Sequence, residues 1–133
     1  MITVITNGCF DVLHAGHVAF LKDAHKLGDW LIVGLNDDAS VRKLKGEGRP
    51  LQTVEMRRLV LRELKCVDEV IVVHDTDMSG FITMTQPTIW VKGGDYTLDT
   101  LDKREVATAN AMHCAIKIIP VRYKVHTSQF LCK

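Results

Sequence analysis

Short apolar runs alternate with amphipathic helical patterns along the chain, and this alternation constrains the fold more than any other feature. Short continuous apolar runs are typical of buried strands, and apolar residues that recur every three or four positions are typical of helices. Strands are predicted at residues 2–6, 30–35, 67–73, 88–91 and 115–119. Helices are predicted at residues 16–27 and 37–45, from residue 53 onward, just before Pro87, and at residues 101–112. Because a helix separates each strand from the next, the strands are expected to be parallel, with right-handed crossovers.

This order of elements predicts an α/β fold, a Rossmann-like open parallel five-stranded sheet with helices on both faces. In the helix that Thr53 opens, the apolar spacing predicts an inner stripe of Met56, Leu59, Val60 and Leu64. Ligands of such sheets bind beyond the carboxyl ends of the strands, where the strand order reverses. Functional residues are therefore expected in the segments that directly follow the strands.

Composition excludes several classes of protein. The 133 residues are 47% apolar and 25% charged, which suits a single domain with its own core. The net charge of +1 argues against a nucleic-acid partner, and no apolar run approaches the roughly 20 residues that a membrane helix needs. The four cysteines lie far apart with no Cys-x-x-Cys pair, which favours cytosolic thiols over disulfides or a zinc site. Without a recognisable signal peptide, a cytoplasmic location is expected.

The segment after the first strand carries the strongest functional pattern. Residues 8–17 lead from a turn into the start of a helix, with His14 and His17 three residues apart. Free backbone N–H groups and the helix dipole favour an anion at that position, and Gly16 would let a ligand approach the backbone closely. A phosphate there would meet two imidazole donors. The alternative is a metal site completed by Cys9 or Asp11, but helical metal ligands more often lie four residues apart.

Two further segments favour phosphate chemistry. Lys45 is followed by a glycine-rich stretch at residues 46–50, as expected of a mobile lid. Lys92 and the paired glycines after it follow the fourth predicted strand, where they allow either close approach of a ligand or a plain turn.

The tetrapeptide His14-Ala15-Gly16-His17 resembles the H-x-G-H signature of the cytidylyltransferase-like nucleotidyltransferases. The resemblance extends to residues 8–17, 34–41, 43–50 and 91–96, about the first hundred residues in several blocks. These blocks look like the branch of adenylyltransferase domains that act on D-glycero-β-D-manno-heptose 1-phosphate. Glycerol-3-phosphate cytidylyltransferases share the architecture and the histidine pair.

The resemblance implies a role for each matching residue. The catalytic group would be His14 and His17 on the α-phosphate and Lys45 on the β- and γ-phosphates. Asp11 and Asp38 would bind the acceptor. The nucleotide would be bound by Gly8, Cys9, Phe10, Gly16, Arg57, Lys92, Gly94, Asp95, Thr127 and Ser128. Arg58 competes with Arg57 for the phosphate contact, and Asp38 could instead be a helix cap.

The C-terminal segment departs from the family pattern. Relatives commonly carry a Glu-Gly-x-Ser-Thr-Thr type segment there, whereas Lys124 and Val125 stand in the positions of its acidic residue and glycine. Thr127 and Ser128 keep two hydroxyl groups at the start of a helix. The loss of the glycine alters the expected approach of the nucleotide.

The resemblance implies one nucleotidyltransferase domain over residues 1–133 that uses ATP and a sugar 1-phosphate. One alternative is a CTP:glycerol-3-phosphate cytidylyltransferase, and another is a non-catalytic nucleotide-binding module. Mg²⁺ is expected to arrive with the nucleoside triphosphate, with no metal site of the protein's own. A homodimer is expected as well.

Overall fold

The computed structural model describes residues 1–94, 96–120 and 122–123. The strands are β1 (Thr3–Gly8), β2 (Trp30–Asn36), β3 (Glu69–Val73), β4 (Ile89–Gly93) and β5 (Ala115–Ile119). The helices are α1 (Ala15–His25), α2 (Asp38–Lys45), α3 (Val54–Arg62), α4 (Ser79–Thr85) and α5 (Lys103–Ala111). Every element predicted from the sequence is present. The main difference at the ends is that Asn7 and Gly8, predicted as a turn, extend β1 by pairing with Gly34 and Leu35.

All five strands are parallel, in the order β3-β2-β1-β4-β5. The chain moves outward from β1 to β3 and then crosses to the other side of β1 to form β4. The strand order therefore reverses between β1 and β4, and a crevice opens there beyond the carboxyl ends of both strands. The predicted sheet and its ligand-binding edge are confirmed.

Alternating side chains of the strands pack into two core clusters, one on each face of the sheet. The first cluster joins Val33 of β2 to Leu21 of α1 and Leu61 of α3. The second joins Trp90 of β4 to Phe81 of α4 and Ala109 of α5. Helices cover both faces, as the continuous apolar strands predict.

The predicted inner stripe of α3 is wrong at three of its four positions. Met56, Leu59 and Val60 are 56%, 64% and 42% exposed. Arg57 and Leu61 are the buried residues of this helix, and Leu64, just beyond it, is half-buried. The helix turns Arg57 inward because its guanidinium group finds acceptors there on several segments.

Candidate active site

The segment between β1 and α1, residues 9–14, holds two residues with left-handed backbone. Phe10 has a φ of 46° and Val12 a φ of 60°, conformations that cost on the order of 1–3 kcal/mol each. Burial of Phe10 and Asp11 holds the segment in this shape. The Phe10 ring packs over Gly8, and a Cβ added at Gly8 would lie 3.0 Å from Phe10 Cε2. Its centroid is 5.6 Å from that of His17. Such strain is commonly found at functional sites.

His14 and His17 form a reciprocal capping box at the start of α1. The backbone N–H of Gly16 donates to His14 Nδ1 at 3.1 Å, and the backbone N–H of His14 donates to His17 Nδ1 at 3.2 Å. The two ring centroids are 3.8 Å apart. A ring nitrogen that accepts a hydrogen bond carries no proton, so each neutral imidazole carries its proton on Nε2. The cap therefore fixes two adjacent rings as Nε2–H donors at a helix N-terminus.

Burial, together with the nearby His14 ring and the charge of Lys45, lowers the pKa of His17 to about 4. His17 is therefore neutral at pH 7. Because the unfolded chain takes up this proton at its ordinary pKa of about 6.5, folding stability should fall as the pH drops from about 6.5 towards 4. The loss amounts to about 3 kcal/mol.

Histidine side-chain NMR tests this protonation state. We expect His17 to titrate with a midpoint of about 4 and to show the Nε2-protonated tautomer at pH 7. The resonance is assigned by its absence in a His17→Gln variant. A midpoint near 6.5, the ordinary value, would contradict the account.

Gly16 permits close packing within the protein. A Cβ at this position would lie 2.9 Å from both His14 Cε1 and the Tyr123 carbonyl oxygen. A side chain at Gly16 would therefore meet the His14 ring and the backbone at Tyr123, and the expected contact of Gly16 with the nucleotide stays a prediction. Gly16 supports the site by letting the cap form.

Arg57 does not face open space as a phosphate contact would, because it is 1% exposed. Its Nε donates to the Gln52 carbonyl at 3.0 Å, and its Nη1 donates to the carbonyls of Cys9 and Asn36 at 2.8 and 2.7 Å. Its Nη2 donates to Asp38 Oδ1 at 2.7 Å. One guanidinium group thus holds together the ends of β1 and β2 and the starts of α2 and α3.

Asp11 anchors the segment that precedes α3. Its carboxylate accepts from Arg49 Nε at 3.0 Å and from the backbone N–H groups of Leu51 and Gln52 at 2.7 and 3.0 Å. Burial acts to raise the pKa of Asp11, but these hydrogen bonds outweigh it and hold the pKa below its usual value. Asp11 thus fastens the segment of residues 49–52 to the end of β1, and its expected contact with the acceptor stays a prediction.

Lys45 is the last residue of α2, followed by Gly46 and Gly48 with φ of 98° and 83°. Its charge acts on both the Cys9 thiol and the His17 ring. Burial raises the pKa of Cys9 against the opposing charges of Lys45 and Arg57. Cys9 is therefore a protonated, packed side chain at neutral pH.

Lys92 lies at the end of β4, on the same face of the sheet as Trp90. Its Nζ lies 4.5 Å from the ring centroid of Tyr96 and 5.4 Å from that of Trp90. Burial lowers the pKa of Lys92, and the charge of Glu105 opposes that shift. Gly94 is exposed beyond the strand end. Asp95, Thr127 and Ser128 lie outside the described residues.

A family model described as cytidylyltransferase-like matches residues 5–130. The chain belongs to the cytidylyltransferase-like family. The family resemblance drawn from His14 and His17 is confirmed.

Curated relatives of this cytidylyltransferase-like chain include bifunctional HldE proteins. That of Geobacter sulfurreducens is 52% identical over 103 residues, covering 77% of this chain and 21% of the relative. That of Pseudomonas syringae is 50% identical over 106 residues, covering 80% of this chain and 22% of the relative. The chain thus spans about a fifth of the length of these relatives.

Solved structures show the same architecture. The lipopolysaccharide core biosynthesis protein of Thermoplasma volcanium has a TM-score of 0.76 and 32% identity, covering 94% of this chain and 99% of that one. Pantothenate synthetase of Thermus thermophilus shares the fold at a TM-score of 0.59 and 13% identity, covering 90% of this chain and 55% of that one.

Sequence reasoning missed two residues that shape the site of this family member. Arg49 pairs with buried Asp11, and Asn36 donates from its side-chain amide to Ser40 Oγ and the Asp75 carbonyl. A basic residue within the glycine-rich stretch of residues 46–50 is a signal that could have identified Arg49. No helix within the described residues is long and apolar enough to cross a membrane.

Proposed function

We propose that this chain is a nucleotidyltransferase that moves a nucleoside monophosphate from a nucleoside triphosphate to a phosphorylated sugar. ATP is the proposed donor and D-glycero-β-D-manno-heptose 1-phosphate the proposed acceptor, with an ADP-sugar and pyrophosphate as products. The observation that carries the proposal is the capped pair His14 and His17, which presents two imidazole Nε2–H donors at the N-terminus of α1. The matches to HldE proteins and to a lipopolysaccharide core biosynthesis protein support the sugar acceptor.

The reaction needs only positioning and charge stabilisation from the protein. An oxygen of the acceptor phosphate forms a bond to the α-phosphorus as the bond from that phosphorus to the β-phosphate bridging oxygen breaks. Pyrophosphate leaves with the electron pair of that bond. The acceptor phosphate is already ionised, so neither a general base nor a covalent enzyme intermediate is required. The Nε2–H groups of His14 and His17 donate to the α-phosphate, and Lys45 neutralises the departing pyrophosphate.

We propose that Mg²⁺ enters with the triphosphate, whose oxygens are its preferred ligands. Among the residues that the structure describes, no group of three or more His, Cys, Asp or Glu side chains is arranged to hold a metal ion. The steps assigned above to the protein's own side chains do not depend on a resident metal site.

A pyrophosphate-release assay with crossed substrates tests the proposed function. ATP and CTP are each combined with heptose 1-phosphate and with glycerol 3-phosphate in Mg²⁺ buffer. Turnover with ATP and the heptose is expected. Turnover only with CTP and glycerol 3-phosphate would replace both proposed substrates. Nucleotide binding by calorimetry without pyrophosphate release in any combination would favour the non-catalytic binding module.

We also propose that the chain forms a homodimer through the outer face of α3, defined by Met56, Leu59 and Val60. The exposed charges Glu55 and Arg62 lie towards opposite ends of this helix. An antiparallel two-fold pairing places Glu55 of each copy beside Arg62 of the other, so the surface is complementary to itself.

Light scattering after size exclusion should give about twice the 14.9 kDa of one chain. Leu59→Glu should give a monomer, because it places a charge in the centre of the apolar contact. Met84→Glu is the matched control, since Met84 is exposed to a similar extent, at 59%, but lies on α4. A wild-type mass of 14.9 kDa would contradict the dimer.

A further inference from the structure

A groove of about 310 Å³ lies between α2 and the segment of residues 48–53. Asp38 and Arg42, four residues apart and so on one face of α2, line one wall. Arg49, Pro50 and Leu51 line the other wall. This volume is at the lower end of the range for small-molecule sites, about 300–1,000 Å³.

Both walls are connected to the segment after β1. Arg57 bonds Asp38 on one wall and the Cys9 carbonyl at the end of β1. Arg49 on the other wall bonds Asp11. The groove is therefore built onto the segment that leads to His14 and His17. A reaction that joins two phosphate compounds needs two anion sites close together, and the histidine pair supplies only one.

The side chains of the groove match a phosphorylated sugar. Within the described residues, Arg42 has no hydrogen-bond or ion-pair partner, and Arg49 uses only its Nε, which leaves both of its terminal nitrogens as donors. Two guanidinium groups suit a phosphate dianion. Asp38 accepts from Arg57 through Oδ1, so its Oδ2 can accept from a sugar hydroxyl. Pro50 and Leu51 offer an apolar wall to the carbon skeleton.

We propose that this groove is the acceptor subsite, in which Arg42 and Arg49 bind non-attacking oxygens of a sugar phosphate and Asp38 binds its hydroxyl groups. This inference rests on the proposed function, since it names where the acceptor of that reaction binds. Arg42 gives the most direct test because, within the described part of the chain, its side chain takes no part in the contacts that hold the site together.

Steady-state kinetics of Arg42→Gln test the subsite. We expect the KM for heptose 1-phosphate to rise about 10- to 100-fold, as for the loss of a charged hydrogen bond, with the KM for ATP unchanged. Lys43→Gln is the matched control, because it removes the same charge from the next exposed position of α2, outside the groove. Lys43→Gln should leave the KM values for heptose 1-phosphate and for ATP within about two-fold of wild type. An acceptor KM for Arg42→Gln within about two-fold of wild type would overturn the subsite.

Binding measured without turnover separates this inference from the proposed function. Heptose 1-phosphate is titrated into the ¹⁵N-labelled chain while the arginine side-chain resonances are followed by NMR. Saturable shifts at Arg42 and Arg49, lost in Arg42→Gln, are expected. Such shifts in a chain that releases no pyrophosphate would overturn the proposed transfer reaction and support the subsite. Turnover by the wild-type chain without shifts at these arginines would overturn the subsite alone. If neither is observed, both proposals fail.

Discussion

Removing the imidazole of His14 or His17 should lower kcat about 10²- to 10⁴-fold. Each ring supplies one Nε2–H donor to the α-phosphate, where charge builds up during transfer. The same rings also cap α1 through Nδ1, so alanine removes a catalytic donor and a helix cap together. His14→Ala should therefore also destabilise the fold by about 1 kcal/mol.

Two conservative variants separate these roles. Asn at position 14 is a good N-cap, and Gln at position 17 can accept the same backbone N–H, so His14→Asn and His17→Gln preserve the capping box. Neither side chain places an imidazole Nε2–H on the phosphate. Both variants should melt within a few degrees of wild type. Their kcat should nevertheless fall as far as the kcat of the alanine variants. Wild-type turnover in His14→Asn would show that the histidine serves only as a cap.

Replacing Arg57 should destabilise the protein by about 3–5 kcal/mol. Arg57→Met keeps most of the side-chain volume but leaves the carbonyls of Cys9, Asn36 and Gln52 without their donor. It also leaves Asp38 without its ion-pair partner. Urea unfolding followed by circular dichroism measures the loss.

The neighbouring arginine provides the matched control. Arg58 lies on the same helix, and its buried Nε has no hydrogen-bond partner among the described residues. Arg58→Met should therefore lower the free energy of unfolding by less than about 1 kcal/mol. Equal losses for the two variants would contradict the scaffold role. An Arg57→Met protein of wild-type stability with weakened ATP binding would instead support the phosphate contact that the family resemblance implies.

The sequence predicts the architecture well because strands and helices have local signatures. The apolar run at Trp30–Asn36 and the cap residues Asp37 and Thr53 can be identified from neighbouring letters alone. Parallel pairing follows from the helical crossovers, and the ligand-binding edge follows from the parallel sheet. Differences of one or two residues at strand ends arise because pairing with a neighbouring strand sets those ends.

The orientation of α3 and the role of Asp11 could not be predicted, since both depend on groups distant in sequence. Arg57 turns inward because it reaches acceptors at Cys9 and Asn36, 48 and 21 residues away. Asp11 faces Arg49, Leu51 and Gln52 about 40 residues further on. Apolar spacing cannot show that a buried arginine has its partners. The H-x-G-H pattern located the histidine pair, but its reciprocal capping geometry needed the structure.

Following the α-phosphate of ATP tests the central claim most directly. The chain is incubated with heptose 1-phosphate, Mg²⁺ and ATP labelled with ³²P at the α position, and the products are separated by chromatography. We expect label in an ADP-sugar, formed in equal amount with unlabelled pyrophosphate and lost in His14→Asn. Label recovered as AMP would show hydrolysis, and label recovered as free ADP would show transfer of the γ-phosphate. Either result would contradict nucleotidyl transfer by the histidine pair.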